Sequence, residues 1–255
     1  MPELFDVGGR HVLVTGASSG LGRHFAGFLA GAGAKVTAAA RRKEALQQVV
    51  DAARAEGGQA QSVVMDITDA ASIERGLDGA EAEFGPVTVL VNNAGIAVTA
   101  AALDLDARGW DDVVGTNLRG AWLTAQAAAK RMVAHKTAGS IINIASILGL
   151  RVAGGVSAYA ISKAGVIQMT KALALEWARY GIRINAMAPG YIETELNSAF
   201  FASDLGKSLI RRIPQRRLGQ ARELEGALLL LASDAGSYMT GSVIAIDGGH
   251  LVSGL

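Results

Sequence analysis

Short apolar runs of β character alternate along this chain with longer alanine-rich segments of helical period, and that alternation restricts the possible folds more than any other feature. Runs at 11–15, 35–39, 61–65, 87–91, 140–144, 183–187 and 243–246 read as strands. Segments 21–32, 44–56, 70–84, 110–134, 157–180 and 222–233 read as helices, the fourth broken near Thr116 and Asn117. The strands are almost entirely apolar, as strands buried on both faces are. The expected architecture is therefore an α/β, doubly wound, seven-stranded and mostly parallel sheet with helices on both faces and right-handed crossovers. A chain of 255 residues suits one domain, 1–255, which would bury roughly three quarters of its unfolded surface. Only 191–220 is long and weakly patterned, and it is expected to act as a lid over the site.

The first strand runs directly into Thr15-Gly16-Ala17-Ser18-Ser19-Gly20-Leu21-Gly22, which opens a helix. Glycines let a backbone approach a diphosphate closely, and unpaired N–H groups at a helix start attract anions. Gly16, Ser18, Ser19, Gly20, Leu21 and Gly22 are accordingly candidate pyrophosphate ligands, although a tight packing turn would read the same way.

The end of the second strand bears on which dinucleotide binds. A carboxylate there would accept hydrogen bonds from a ribose 2′-hydroxyl and favour NAD(H). This chain instead has Ala38-Ala39-Ala40-Arg41-Arg42. Guanidinium groups pair with a 2′-phosphate, so Arg41 and Arg42 point to NADP(H), with NAD(H) the possible alternative. The other reading is that both simply begin a solvated helix.

Tyr159 and Lys163 stand four residues apart in a helical segment and so share a face. An adjacent ammonium is expected to lower the phenol's pKa and fit it for proton exchange with a carbonyl or alcohol oxygen. Ser146 follows the strand 140–144, where open α/β sheets form their crevice, and its hydroxyl would orient a substrate oxygen. Asn117 lies within a helical pattern and invites a local break whose freed carbonyl could hold water. Singly, each of these residues is compatible with a purely structural role.

Taken in order, the turn 15–22, Asn92-Asn93-Ala94-Gly95, Asn117, Ser146, Tyr159-x-x-x-Lys163, Pro189-Gly190 and Asp247-Gly248-Gly249 resemble the motif set of the short-chain dehydrogenase/reductase (SDR) family across essentially the whole chain. The resemblance implies a Rossmann-type fold and oxidoreductase activity on a small carbonyl or alcohol substrate. It implies Tyr159 as acid/base, Lys163 as its tuner and ribose ligand, and Ser146 as the group polarising the reacting oxygen, with Asn117 completing a water-linked relay. Asp66 and Ile67 would meet the adenine, while Asn93, Ala94 and Gly95 flank the cofactor. Pro189, Gly190, Ile192 and Thr194 would hold the nicotinamide end. The stretch 159–194 is similar to 3-oxoacyl-carrier-protein reductases, but Tyr180 stands where those often carry a basic residue. Leu4-Phe5-Asp6-Val7 resembles gluconate and polyol dehydrogenases of the same family.

Specificity is expected from 96–98, 147–152, Gly154, Gly155, Tyr191 and the lid residues Leu196, Phe200 and Phe201, among which Arg151 and neighbouring Glu193 offer charge. Two alternatives stand beside NADP(H)-dependent ketone/alcohol redox: an NAD-dependent polyol or alcohol dehydrogenase of the same fold, and a non-catalytic nucleotide-binding protein. A serine-hydrolase reading lacks the G-x-S-x-G elbow.

Composition removes other classes. The chain has no cysteine, and its four histidines (His11, His24, His135, His250) lack metal-ligand spacing, so no metal is expected. A net charge of +1 favours neither nucleic acid nor membrane, and no apolar run approaches the about 20 residues a bilayer requires. With no apolar leader in the first ten residues, a reducing cytoplasm is the expected compartment. Small apolar residues on outward faces of the two longest helical segments suit self-association, and the resemblance implies a homotetramer.

Overall fold

A computed structural model describes residues 3–195 and 197–253; Leu196, expected in the lid, lies outside them. Strands β1 (His11–Thr15), β2 (Lys35–Ala40), β3 (Gln59–Val64), β4 (Val89–Asn92), β5 (Gly139–Ile144), β6 (Ile182–Pro189) and β7 (Val243–Ile246) form one parallel sheet in the order β3-β2-β1-β4-β5-β6-β7. β1, β4 and β5 are buried along their entire length, which accounts for their mainly apolar character. β3 lies at the sheet edge and is only partly covered.

Helices α1 (Gly20–Gly31), α2 (Lys43–Ala55) and α3 (Ala70–Phe84) follow the first three strands; α4 (Ala107–Val114), α5 (Ala121–Ala134) and α6 (Ser157–Trp177) follow the central ones. Two apolar layers result, one on each face. The first includes Phe25, Leu29 and Leu46, the second Leu77, Met132 and Ile141, all fully buried. Each such side chain contributes about 1.5–3 kcal/mol of hydrophobic stabilisation. His11 within β1 is 2% exposed, and its ring nitrogens meet the Gly85 carbonyl (2.7 Å) and the Thr37 hydroxyl (2.8 Å). Among the described residues, no helix is long and apolar enough to cross a membrane.

The bounds of β2 to β6 shift by one or two residues from the sequence expectation, and four other segments differ in kind. The helix expected over 110–134 is α4 and α5 joined by a π-helical turn, Gly115–Gly120. Gly120 crosses the main chain of Ile67 so closely that an added Cβ would lie 3.0 Å from its carbonyl oxygen. The break near Asn117 is thus present as a widened turn. α6 stops at Trp177; a 3-10 turn, Ala178–Tyr180, and Gly181 at φ +73° carry the chain into β6. The weakly patterned segment 191–220 contains α7 (Ser198–Ala202) and α8 (Asp204–Ile210), each too short to display helical periodicity. A parallel bridge between Ile192 and Gly219 closes the base of this segment. The last helix, α9 (Glu225–Ala232), follows a 3-10 turn, Ala221–Leu224, capped reciprocally by Gln220 and Glu223.

Candidate active site

The chain leaves β1 for one side of the sheet and β4 for the other, so the carboxyl ends of these neighbours define the switch point where a crevice opens. Side chains at that point tie the two strand ends together. The Thr15 hydroxyl accepts the N–H groups of Asn93 (3.0 Å) and Ala94 (3.1 Å), and the Asn93 amide donates to the Thr15 carbonyl (3.0 Å). A cleft of about 680 Å³ runs from there along the strand ends.

At one end of the cleft lies the glycine turn. A Cβ on Gly16 would meet Ala94 Cα at 2.8 Å, and one on Gly22 would meet the Gly16 carbonyl at 2.3 Å. These two glycines therefore allow strand, turn and helix to pack together. Gly22 does not line the cleft, whereas Gly16, Ser18, Ser19, Gly20 and Leu21 do. Gly20 (φ +52°) differs from the other two: a Cβ there would meet nothing within 4 Å. No side chain caps α1, so its first amides face the cleft without a side-chain partner. That donor set and open backbone fit a diphosphate.

Arg42 reaches back across the turn, donating to the hydroxyls of Ser18 (2.9 Å) and Ser19 (2.8 Å). Arg41 is exposed at the cleft beside Asp66. Burial pushes the Asp66 carboxyl up, but the Thr68 amide (2.9 Å), the Thr68 hydroxyl (2.7 Å) and the Arg41 charge outweigh it and hold the group below its usual range. Asp66 thus forms a turn and lines the cleft together with Ile67.

At the other end, Ser146, Tyr159 and Lys163 line the same cleft. The Ser146 hydroxyl accepts the Leu148 N–H (3.1 Å), so its own proton is directed to the Tyr159 side of the cleft, where it favours the phenolate. Tyr159 and Lys163 come from the first turns of α6, and the ammonium lies 5.6 Å from the phenol ring centre. Lys163 is 5% exposed and donates to the Ile144 carbonyl at 2.7 Å; burial lowers its pKa to about 8. Burial raises the Tyr159 pKa, the Ser146 hydroxyl draws it partly back, and Tyr191 adds to the rise. The expected lowering by the adjacent ammonium is therefore reversed here: desolvation of the phenolate dominates while Lys163 is turned to a main-chain carbonyl.

Asn117 does not line the cleft and is 1% exposed. From the π turn its side chain clasps Ile96, accepting the N–H (2.7 Å) and donating to the carbonyl (2.8 Å). It also donates to the Ser162 hydroxyl (3.1 Å), which donates to the Tyr159 carbonyl (2.7 Å). Gly95 lies between the parts: a Cβ there would be 3.1 Å from Asn117 Oδ1 and 3.5 Å from Lys163 Nζ. Asn93, Ala94, Gly95, Pro189, Gly190, Ile192 and Thr194 complete the lining on both sides.

A family profile described as enoyl-(acyl carrier protein) reductase matches residues 16–250. The chain is 37% identical over 253 residues to gluconate 5-dehydrogenase of Gluconobacter oxydans (strain 621H), spanning 99% of this chain and 98% of that one. It is 39% identical over 241 residues to a 3-oxoacyl-(acyl-carrier-protein) reductase of Escherichia coli (strain K12), spanning 94% and 97%. The chain belongs to the short-chain dehydrogenase/reductase family. This SDR is an oxidoreductase by membership, and its Rossmann-type fold matches a crystal structure of gluconate 5-dehydrogenase from Burkholderia cenocepacia J2315 in complex with NADP and tartrate. The TM-score is 0.94 at 36% identity, covering 99% of both chains.

Sequence reasoning missed several contributors to the SDR cleft, among them Met65, Thr68, Thr116 and Asn197. Asn197 lines it and clasps the loop after β6, donating to the Ile192 carbonyl (2.8 Å) and accepting the Thr194 N–H (2.9 Å). An asparagine just ahead of a five-residue helix gave no periodic signal to read. Arg151, expected among the specificity residues, does not line the cleft.

Proposed function

We propose that this SDR interconverts a ketone and a secondary alcohol with NADP(H) as hydride partner and Tyr159 as acid/base. The observation that carries the reading is the continuity of one cleft from the uncapped start of α1 to Ser146, Tyr159 and Lys163. When bound, NADPH supplies a hydride to the carbonyl carbon, or NADP⁺ removes one from the carbinol carbon.

Gly16 to Leu21 would hold the diphosphate, Arg41 and Arg42 the 2′-phosphate, and Asp66 with Ile67 the adenine. A related gluconate 5-dehydrogenase was crystallised with NADP, which supports the basic pair as the selectivity element. Pro189, Gly190, Ile192 and Thr194 would fix the nicotinamide. With substrate bound, Ser146 would donate its hydroxyl proton to the reacting oxygen, and Tyr159 would give its own proton as negative charge develops there. Because burial raises its pKa, the phenol is protonated at neutral pH and ready to donate. Lys163 restores the proton once its ammonium swings from the Ile144 carbonyl toward the phenol and the ribose. Asn117 acts as a positioning residue, holding Ile96 and, through Ser162, the main chain of Tyr159.

Exposed Trp110, Trp122, Ile161 and Leu175 on α4, α5 and α6 support assembly as a homotetramer, and the cysteine-free composition suits the cytoplasm. The test of the chemistry is Tyr159→Phe. NADPH oxidation over a ketone panel should fall at least about 10²-fold, the lower range for a lost general acid, while NADPH binding measured by fluorescence is retained. Substantial residual activity would refute the assigned acid.

A further inference from the structure

We propose that the reacting pocket takes a neutral, largely apolar ketone carrying one second oxygen, and that the Tyr191 phenol is the group that binds this oxygen. The inference rests on the redox reading above and names the substrate class of the same site.

Next to Ser146 the pocket wall is formed by Ile96, Ile147 and Leu148. A polyhydroxylated acid placed against that wall would leave hydroxyls without partners, each costing about 1–3 kcal/mol.

Charge points the same way. Among the described residues lining the cleft, the cations are Arg41 and Arg42 at the far end and Lys163 at the reacting centre. The cation that sequence places in the pocket, Arg151, is near enough to Tyr191 for its charge to oppose the effect of burial on that phenol, but it does not line the cleft. Its guanidinium donates to the His250 carbonyl and to the Ser253 hydroxyl (3.3 Å), fastening the C-terminal turn to the loop after Ser146. A substrate carboxylate would thus meet no cation lining the reacting end of the cleft except the proton-relay lysine, an arrangement that opposes binding.

Among the described residues lining the cleft, the hydroxyls of Thr116, Thr194 and Tyr191 have no hydrogen-bond partner, and of these Tyr191 is the one held by aromatic packing. Asn197 is engaged by the main chain of Ile192 and Thr194. The Tyr191 ring is held edge-on by Phe201 of α7 (5.6 Å between centres) and packs against His250 (5.4 Å). Its hydroxyl has no hydrogen-bond partner among the described residues, and Tyr191 is close enough to Tyr159 to raise that residue's pKa. Burial also keeps the Tyr191 phenol protonated, hence a donor. A fixed donor lining the same cleft as the acid/base, near the apolar side chains of Ile96, Ile147 and Leu148, selects a ketone with a second oxygen near the first.

The experiment uses two readouts, calorimetric binding to the NADP⁺-loaded protein and turnover with NADPH as hydride donor, for a cyclohexanedione, cyclohexanone and 5-ketogluconate. The dione should bind tightest and 5-ketogluconate weakest. Tyr191→Phe keeps the ring contacts and should cut the dione-to-cyclohexanone affinity ratio by about three- to tenfold, the worth of one neutral hydrogen bond. Preference for 5-ketogluconate, an unchanged ratio, or no measurable dione binding overturns the proposal. Dione binding that depends on Tyr191 without any turnover would uphold it and sink the redox reading instead. Turnover with 5-ketogluconate as the best substrate would do the reverse.

Discussion

Replacing Lys163 by methionine should abolish turnover and, at neutral pH, make the protein without its cofactor more stable. Lys163 is 5% exposed, and among the described residues its ammonium has one hydrogen bond, the 2.7 Å contact with the Ile144 carbonyl. Burial depresses its pKa from 10.5 to about 8. At about 1.4 kcal/mol per unit, that difference costs the folded state roughly 3 kcal/mol wherever lysine is charged in the unfolded chain and native form alike. Methionine fills a similar volume without the charge. The Ile144 carbonyl loses a donor, which returns about 1–2 kcal/mol of the gain, so a net stabilisation of about 1–2 kcal/mol is expected near pH 7.

The pH dependence tests the cause. Between pH 8 and 10.5 the unfolded chain still binds the proton and the native protein has released it, so wild-type stability rises with pH. The advantage of Lys163→Met is therefore full below pH 8 and fades as pH climbs toward 10.5. Urea denaturation of both proteins at pH 7 and pH 10, at equal protein concentration, measures it. A variant that is less stable at pH 7, or a gap that does not narrow with pH, would refute the reasoning.

Arg41→Ala should weaken NADPH binding at least about tenfold more than NADH binding, the value of one charge-assisted contact to phosphate; equal losses by fluorescence titration would show that the 2′-phosphate is read elsewhere. His11 has a lowered pKa because burial disfavours the imidazolium. Below its ordinary pKa of 6.5 the unfolded chain takes up a proton that the native protein does not, so stability should fall as pH drops through that value. His11→Gln, which does not titrate, should show a shallower acid limb in denaturation curves, and an identical limb would exclude His11 as the source.

Much of this architecture is legible in the sequence because burial on both faces leaves an unmistakable apolar run. β1 and β7 have the expected bounds, and α3 does too. Motif order likewise places Ser146, Tyr159, Lys163 and the glycine turn around one cleft. What escapes the sequence is decided by tertiary contact. The Tyr159 proton affinity depends on whether burial or the ammonium dominates, and spacing along α6 does not encode that balance. Arg151 reads as a pocket cation by position, yet its direction is set by a turn about a hundred residues later, at His250 and Ser253. Gly22 reads as a phosphate ligand, but its lack of a side chain is demanded by the Gly16 carbonyl behind it. Helices as short as α7 and α8 hold too few turns for periodicity to appear.

The π turn at Gly115–Gly120 amounts to one residue more than a regular helix from α4 through α5 would need. Removing a residue would heal the helix and restore its ladder of backbone bonds. It would also rotate everything on one side by about 100° relative to the other, carrying Asn117 out of reach of Ile96. A bulge that folding alone would discard is thus what aligns the outer helices with the strand ends, and the chain's length at this point records a compromise between regularity and registration.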